Sequence, residues 1–473
     1  MAEPLKSEAQ GLFRLLRESG DPETVAAMER FVADAPDREL CRINVLAFAT
    51  DRLLDDERVI ATFLHAARLG LFELSWNVLC PGCGGVLDTS GTLKSFDRHE
   101  YVCALCARGY EPSLDEMVEV TFTVNRRLRR IAAHNPDELP FFEYFRQIFW
   151  GSGVDLPDDL EQLRRELTID ALELPPGEKA QRCLELPPAF LIVFDPVTHA
   201  AHFIDVKGEP TCEHQSLSVV FNHVRPPTGN SQLRPGRLHL SVENSCERRV
   251  LPGIWIAGPA LHHLLGKRRA FLTAKRLLTN QTFRDIYHAD TIQVTQRLEI
   301  TSLTFLFTDL KDSTELYDQV GDLVAFDLVQ DHFRILNEII RAEAGAVVKT
   351  IGDAVMATFP TPENAIAAAL RMREAIREFN NSHSREELVL KIGIHEGPCL
   401  VVMLNDRQDY FGQAVNIASR IPCLAERGSI CATRSVIETP QSAALLAAKG
   451  LQPVLRERLL RGVSSALSVY EIL

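Results

Sequence analysis

Two aspartates, Asp309 in Phe307-Thr308-Asp309 and Asp353 in Gly352-Asp353-Ala354, stand 44 residues apart, each at the end of an apolar strand-like run. A carboxylate in that place faces solvent and can hold a hard cation such as Mg²⁺ or Mn²⁺. Two of them brought together suit a two-metal phosphoryl-transfer site. A second group of ligand-type residues lies earlier in the chain. Cys80-Pro81-Gly82-Cys83 and Cys103-Ala104-Leu105-Cys106 are two Cys-x-x-Cys knuckles separated by 19 residues. The two-residue gap lets both thiolates of a knuckle face one ion, and Gly82, Gly84 and Gly85 leave backbone amides free to support the sulfurs. Four thiolates close a tetrahedron with no open position, so the expected ion is a structural Zn²⁺ that contributes to folding and not to catalysis.

The aspartates need a frame that brings them together. Residues 303–307 read as a strand, and Phe326, Val329, Phe333, Leu336 and Ile340 as a helix stripe. Residues 346–351 and 354–359 read as two strands around the Gly352-Asp353 turn. Thr361-Pro362-Glu363 opens a second helix with a cap, a proline at the first position and an acid in the first turn. Residues 388–394 supply a fourth strand. This order is the ferredoxin-like, split βαβ arrangement, whose first and third strands run antiparallel, and that makes Asp309 and Asp353 converge.

The rest of the chain frames this region. Its 473 residues exceed one ordinary core, and 46% hydrophobic with 24% charged residues is a globular composition. A net charge of -13 argues against nucleic acid as a partner, because phosphate contacts need clustered cations. Eleven cysteines, an odd number, fit reduced thiols plus a metal site better than a disulfide framework. No cationic n-region opens the chain and no apolar run reaches the 18 or so residues needed to cross a bilayer, so a soluble, cytoplasmic protein without membrane contact is expected. Residues 1–75 read as helical, compatible with a small winged-helix-like bundle. The cysteine ribbon follows over 76–112. Residues 113–258 alternate and turn, notably at 118–124 and 238–242, and read as a β-sandwich-like regulatory region. Residues 259–299 form a helical connector with basic solvated faces. The fold class is therefore multidomain α+β.

The C-terminal residues resemble the class III nucleotidyl cyclase catalytic domain over 300–473. Phe307-Thr308-Asp309 with Ser313-Thr314 is similar to that family's first metal motif. Lys349-Thr350-Ile351-Gly352-Asp353 is similar to its base-selecting lysine followed by the second metal aspartate. The run from Asp409 through Asn416 to Arg420 is similar to the segment carrying the base-selecting acid, the ribose-orienting asparagine and the transition-state arginine.

The resemblance implies cyclisation of a nucleoside triphosphate by two Mg²⁺ or Mn²⁺ ions per active site, with the ribose 3′-oxygen attacking the α-phosphorus in line while pyrophosphate leaves. Asp309, Asp353 and the Leu310 carbonyl would hold the metals. Amides before Ser313 and Thr314 would cradle the β- and γ-phosphates. Arg420 would stabilise developing phosphoryl charge, and Asn416, four residues earlier on the same helix face, would orient the ribose. Asp409 as acceptor and Lys349 as donor suit the edge of adenine, so ATP is the expected substrate and adenylate cyclase the expected activity. Guanylate cyclases usually carry Glu and Cys at these two places. One departure stands out: Arg461-Gly462 occupies the place of the family's usual triphosphate lysine, and its guanidinium keeps the charge. In this family the aspartates and the Asn/Arg pair come from different subunits, which implies a homodimer with sites at the subunit interface. Residues 1–299 resemble a module of unassigned role found before bacterial cyclase domains, which implies a protein or small-molecule regulator. A near-silent nucleotide-binding scaffold and a guanylate cyclase are the alternatives.

Overall fold

The computed structural model describes residues 3–96, 100–156, 165, 167–222, 228–287, 298–310, 321–382, 388–404, 407–425, 428–458 and 467–473. The chain divides into two compact units. One comprises Met1–Gly91, Arg98–Pro112 and Glu116–Leu272, and the other Thr92–Asp97, Ser113–Asp115 and Thr273–Leu473. The division falls inside the stretch that the sequence reads as a connector. The helix Pro259–Gly266 stays with the first unit, while Ala274–Leu278 and Gln281–Ile286 belong to the second. Among the described residues no helix is long and apolar enough to cross a membrane.

The first unit opens with helices α1 (Glu3–Ser19), α2 (Pro22–Asp34), α3 (Val45–Arg52) and α4 (Asp56–Arg68). The acids of the α3–α4 joint are capping residues: the Asp55 carboxylate accepts from Arg58 N at 2.9 Å and so satisfies an orphan donor at the start of α4. Ring contacts at 5.2 Å run from Phe31 through Phe48 to Phe63, and on to Phe72 and Phe122 in the sheet below. That sheet has the order β2-β1-β5, from β1 (Phe72–Leu79), β2 (Val86–Ser90) and β5 (Val118–Val124). The short strands β3 (Tyr101–Cys103) and β4 (Arg108–Tyr110) pair with each other.

The strictly alternating stretch 118–124, grouped with the sandwich on sequence, pairs instead with β1. Its polar positions are not on a wet face. Glu119 and Thr121 are buried and hydrogen-bond Asn77, and Glu119 also accepts from Ser152. A buried polar network satisfies these groups, so alternation here does not report solvent. Two further sheets follow. One has the order β10-β12-β7, from β7 (Lys179–Leu186), β10 (Thr211–Phe221) and β12 (Gly236–Asn244). The other has the order β11-β9-β8-β13-β6, from β6 (Thr168–Ala171), β8 (Phe190–Asp195), β9 (Ala200–Val206), β11 (Thr228–Leu233) and β13 (Gly253–Ile256). Leu191, Val193 and Ile204 of the second share one core with Leu238, Leu240 and Val242 of the first.

The second unit is built on an eight-stranded sheet, β15-β16-β14-β17-β19-β21-β20, with β18 pairing β17. Its strands are β14 (Leu298–Leu310), β15 (Ala346–Ile351), β16 (Ala354–Phe359), β17 (Leu390–Leu404), β18 (Arg407–Phe411), β19 (Ile430–Thr433), β20 (Val454–Arg458) and β21 (Leu467–Ile472). The helix Asp322–Ala342 joins β14 to β15, and Pro362–Ser382 joins β16 to β17. The four strands β15-β16-β14-β17 therefore carry the split βαβ order. The buried face of the first helix is Ala325, Leu328, Val329, His332, Leu336, Ile339 and Ile340. Phe326, placed in the stripe on sequence, is 57% exposed. A histidine at a core position hides the true phase of the stripe.

Two buried histidines give this unit an acid limit. Burial holds His332 and His395 down at about 4, against an ordinary value near 6.5. The unfolded chain therefore takes up these protons first, so the stability they leave intact above pH 6.5 is lost as pH falls towards 4, by ~3 kcal/mol each at the limit. The ring nitrogens of His332 are buried beside Asp353, which only partly offsets the loss of water. His332→Leu is expected to raise the melting temperature at pH 7 and to flatten its fall between pH 6.5 and 4.5. A variant that melts along the unsubstituted protein's pH curve would refute this account.

Candidate functional site

β14 runs antiparallel to β16 with Phe307 opposite Met356. Continuing that register puts Asp309 opposite Ala354, next to Asp353. The Thr308 hydroxyl accepts from Val355 N at 3.0 Å and fixes the two strands one residue before Asp309 and two residues after Asp353. Gly352 has φ +64, which the tight β15–β16 turn requires and which glycine adopts without strain. The Asp309 carboxyl sits above the ordinary carboxylate range, first because burial removes water and then because the Asp353 charge repels its own. Lys391, directly across on β17, pulls the other way. Asp353 Oδ2 is buried and has no hydrogen-bond partner. An unpartnered anionic oxygen beside a second carboxylate is costly, and a divalent cation is the chemistry that relieves both strains. The pair fits Mg²⁺ or Mn²⁺, with the Leu310 carbonyl next in line on the same strand.

A second polar pair joins Lys349 on β15, four residues before Asp353, to Asp409 on β18. Lys349 Nζ donates to Asp409 Oδ2 at 2.5 Å, and Asp409, only 7% exposed, also accepts from Tyr410 N at 2.8 Å. The β15–β16 register slips between Val347 and Lys349, so Val348 is a bulged residue. A bulge re-aims the side chains that follow it, and Lys349 is the first of them.

Asn416 and Arg420 are both exposed. The helix Gln413–Ala418 carries Asn416, whereas Arg420 lies beyond the C-cap, Ser419, at the entry to a 3-10 turn. The shared helix face expected on sequence is thus a helix followed by a change of pitch, set by Pro422 at the next position that could continue it. Ser313, Thr314 and Arg461 lie outside the described residues.

Two neighbours of the acids escaped the sequence reading. Lys391 could have been found by pairing β14 with β17. His332 is the one ionisable residue in an otherwise apolar helix stripe, and Asp353 is the charge that opposes its depressed basicity. No local motif marks either residue.

In the first unit, the thiols of Cys80, Cys83, Cys103 and Cys106 all lie within 4.8 Å of one another. Cys80 and Cys106 are 3.6 Å apart and Cys83 and Cys103 3.7 Å. Thiolates about 2.3 Å from a tetrahedral zinc stand ~3.8 Å from each other, so the spacing fits a metal and is far too long for a disulfide. Hydrogen bonding with Cys103 holds Cys80 below the ordinary thiol range and Cys83 above it. Gly85 N donates to Cys83 Sγ at 3.4 Å, and Arg268 donates to the Gly82 carbonyl at 3.0 Å. The four thiols could hold zinc.

Each cluster predicts a response to metal. Without divalent cation, Asp309→Asn removes the repulsion and is expected to stabilise the fold, by at most ~1 kcal/mol because Asp309 keeps some solvent. Mn²⁺ at about 100 times its Kd is expected to add ~2.7 kcal/mol to the unsubstituted protein and little to Asp309→Asn. Equal Mn²⁺ stabilisation of both in thermal melts would exclude Asp309 as a ligand. For the thiols, elemental analysis is expected to find one zinc per chain, lost in the double variant Cys80→Ser/Cys83→Ser. Folded protein free of metal would contradict that assignment.

Two family models match the chain. The model described as Family of unknown function (DUF5939) covers residues 6–285, and that of the Adenylate and Guanylate cyclase catalytic domain covers 295–451. An adenylate cyclase of Anabaena cylindrica is 30% identical over 189 residues, 36% of this chain and 36% of that protein. Receptor-type guanylate cyclase gcy-8 of Caenorhabditis elegans is 34% identical over 140 residues, 27% of this chain and 12% of that protein. The chain thus spans about a third or less of the length of these relatives. Among solved structures, the adenylyl cyclase CyaB from P. aeruginosa is 20% identical with a TM-score of 0.34, covering 38% of this chain and 96% of that one. The chain belongs to the family of unknown function DUF5939, and at its C-terminal end it carries a class III adenylate and guanylate cyclase catalytic domain over residues 295–451.

Proposed function

We propose that this chain is an adenylate cyclase that converts ATP to 3′,5′-cyclic AMP and pyrophosphate. The observation that carries the choice of ATP is the Lys349–Asp409 pair, a buried acceptor and a flexible donor held 2.5 Å apart. The carboxylate accepts from the exocyclic amine of adenine, and the ammonium donates to a ring nitrogen. Guanine offers a carbonyl to the same carboxylate and leaves a buried acceptor unpaired, which costs roughly 1 to 3 kcal/mol, or about ten- to a hundredfold in selectivity. The relatives described as adenylate cyclases support this choice.

Asp309 and Asp353, with the Leu310 carbonyl, would hold two Mg²⁺ or Mn²⁺ ions. When bound, such ions supply Lewis acidity at the ribose 3′-hydroxyl and the α-phosphate and neutralise the departing pyrophosphate. Asn416 orients the ribose so that its 3′-oxygen lies in line with the α-phosphorus. Arg420 donates to phosphoryl oxygens as charge builds on them. Ser313 and Thr314 contact the β- and γ-phosphates, and Arg461 contributes a bidentate cation to the triphosphate.

The Asn416 and Arg420 side chains are exposed, as residues that complete a site on another copy must be. Leu323, Phe326, Ile351 and Phe411 are exposed as well, Ile351 two residues from both Lys349 and Asp353, and Phe411 two from Asp409. Exposed apolar side chains around half-sites support a homodimer. On this reading residues 1–75, a zinc ribbon over 76–112, the β-rich region 113–258 and the connector 259–299 form a regulatory assembly ahead of a catalytic region at 300–473.

Purified protein is expected to form cyclic AMP from ATP with Mn²⁺, and Asp309→Ala and Arg420→Ala are each expected to lose at least about 100-fold. Mixing the two inactive variants should restore about a quarter of the unsubstituted activity, since half the dimers then hold one intact site of two. Cyclic GMP from GTP alone would make the chain a guanylate cyclase. No cyclic nucleotide from either substrate, or no recovery on mixing, would overturn the activity or the shared site respectively.

A further inference from the structure

The helices Ala274–Leu278 and Gln281–Ile286 precede the cyclase match and lie at the end of the stretch matched by the family of unknown function, which runs to residue 285. They nonetheless pack within the catalytic unit. Arg284 Nη2 donates to the Gln408 carbonyl at 2.9 Å and makes a longer contact, 3.4 Å, to the Val348 carbonyl. Those two carbonyls belong to the residues immediately before Asp409 and Lys349. Val348 is the bulged residue of β15, so its carbonyl is released from the ladder at the point where the bulge aims Lys349.

Three further bonds hold the same place. Gln281 Oε1 accepts from Val347 N at 2.7 Å, on the other side of the bulge. The Leu278 carbonyl accepts from Gln408 Nε2 and from the Tyr410 hydroxyl, each at 3.3 Å. β15 ends the sheet, so β16 pairs it on one side only, and the bulge loosens that one register at Val348. The two short helices thus bond both strands: Gln281 and Arg284 hold β15, and Leu278 and Arg284 hold β18.

We infer that Arg284 is a positioning residue for base recognition: by bridging the main chain just before Lys349 and Asp409, it sets the separation of the donor and acceptor that read adenine. This inference rests on the adenylate cyclase reading. It also gives the last helix of the family segment a role, that of holding the specificity pair of the domain that follows. Arg284 Nη1 is buried with no hydrogen-bond partner. The guanidinium is thus incompletely satisfied where it sits, and an apolar residue of similar length is a tolerable replacement for folding.

The test uses the full chain and compares ATP with GTP. Arg284→Met is expected to raise KM for ATP about tenfold, to change kcat by less than about threefold, and to lower the ATP-to-GTP preference about tenfold. Arg284→Lys keeps the charge on a single nitrogen and cannot span both carbonyls, so it should fall between. In a Lys349→Ala background Arg284→Met should cost no further selectivity, because the effect runs through the pair. Arg341→Gln, which breaks only the exposed ion pair from Arg341 to Asp285 on the same helix, should leave KM and preference unchanged. A folded Arg284→Met with unsubstituted KM and preference would refute the inference. So would a fall in melting temperature and kcat with KM and preference intact, which marks a strap that only stabilises. If Arg284→Met does not fold, Arg284→Lys decides by the same two readouts. An unsubstituted chain that makes no cyclic nucleotide removes the underlying activity, whereas an active chain with a silent Arg284 removes this inference alone.

Discussion

Strand register forces two carboxylates into one another's field, and the catalytic unit is organised around that repulsion. Two like charges near a protein surface repel by a few kcal/mol at an effective dielectric of about 20. The antiparallel β14–β16 ladder does not let Asp309 and Asp353 separate, because Leu306, Val355, Ala357 and Phe359 on the same strands are locked in the core with Leu336 and Ile340 of the helix above. Each fully buried aliphatic or aromatic side chain of that kind stabilises by ~2 kcal/mol, so several outweigh one repulsion. The fold can hold a disfavoured charge pair because the neighbouring residues are apolar and deeply buried. Lys391 and His332 then define two sides of the acid pair: a cation across the ladder and a neutral ring beneath the turn.

The proposed recognition pair is held by different means. Lys349 and Asp409 sit on β15 and β18, at places where regular pairing ends: a bulged edge strand and a strand that pairs only with β17. Core packing gives such strands little precision. Side chain to main chain bonds from Gln281, Arg284 and Gln408 take over that task. The acid pair is thus set by hydrophobic burial, and the proposed base-reading pair by polar ties to a segment outside the cyclase match.

The parts of this arrangement that were legible in the sequence are those fixed by local pattern. The strand, turn and helix signals between 303 and 394 are short-range, and the β-α-β-β-α-β order they define leads to the strand order observed. The four cysteines were legible because two-residue gaps report ligand geometry directly. What stayed hidden depends on partners distant in the chain. His332 looks polar and so disguises the phase of its helix, although burial decides its place. Glu119 and Thr121 look solvent-facing, yet Asn77 and Ser152 receive them in the interior. Arg284 looks like one more basic residue of a connector, and only the fold shows what it touches.

The two halves of the proposed site differ in what they cost a single chain. Asp309 is desolvated and repelled, and Asp353 holds a buried oxygen with no partner, so the acid half is unfavourable until cation and substrate arrive. Asn416 and Arg420 stand exposed to solvent. An Arg420 brought from a second copy towards the acids and a bound triphosphate adds charge-assisted bonds, and the gain exists only while the phosphoryl charge is there. Metal, nucleotide and subunit association are therefore linked through the same carboxylates: each relieves strain that the others also relieve. An enzyme built this way has little reason to close its site empty, and any element that shifts Lys349 or Asp409 alters how much the nucleotide contributes to closing it.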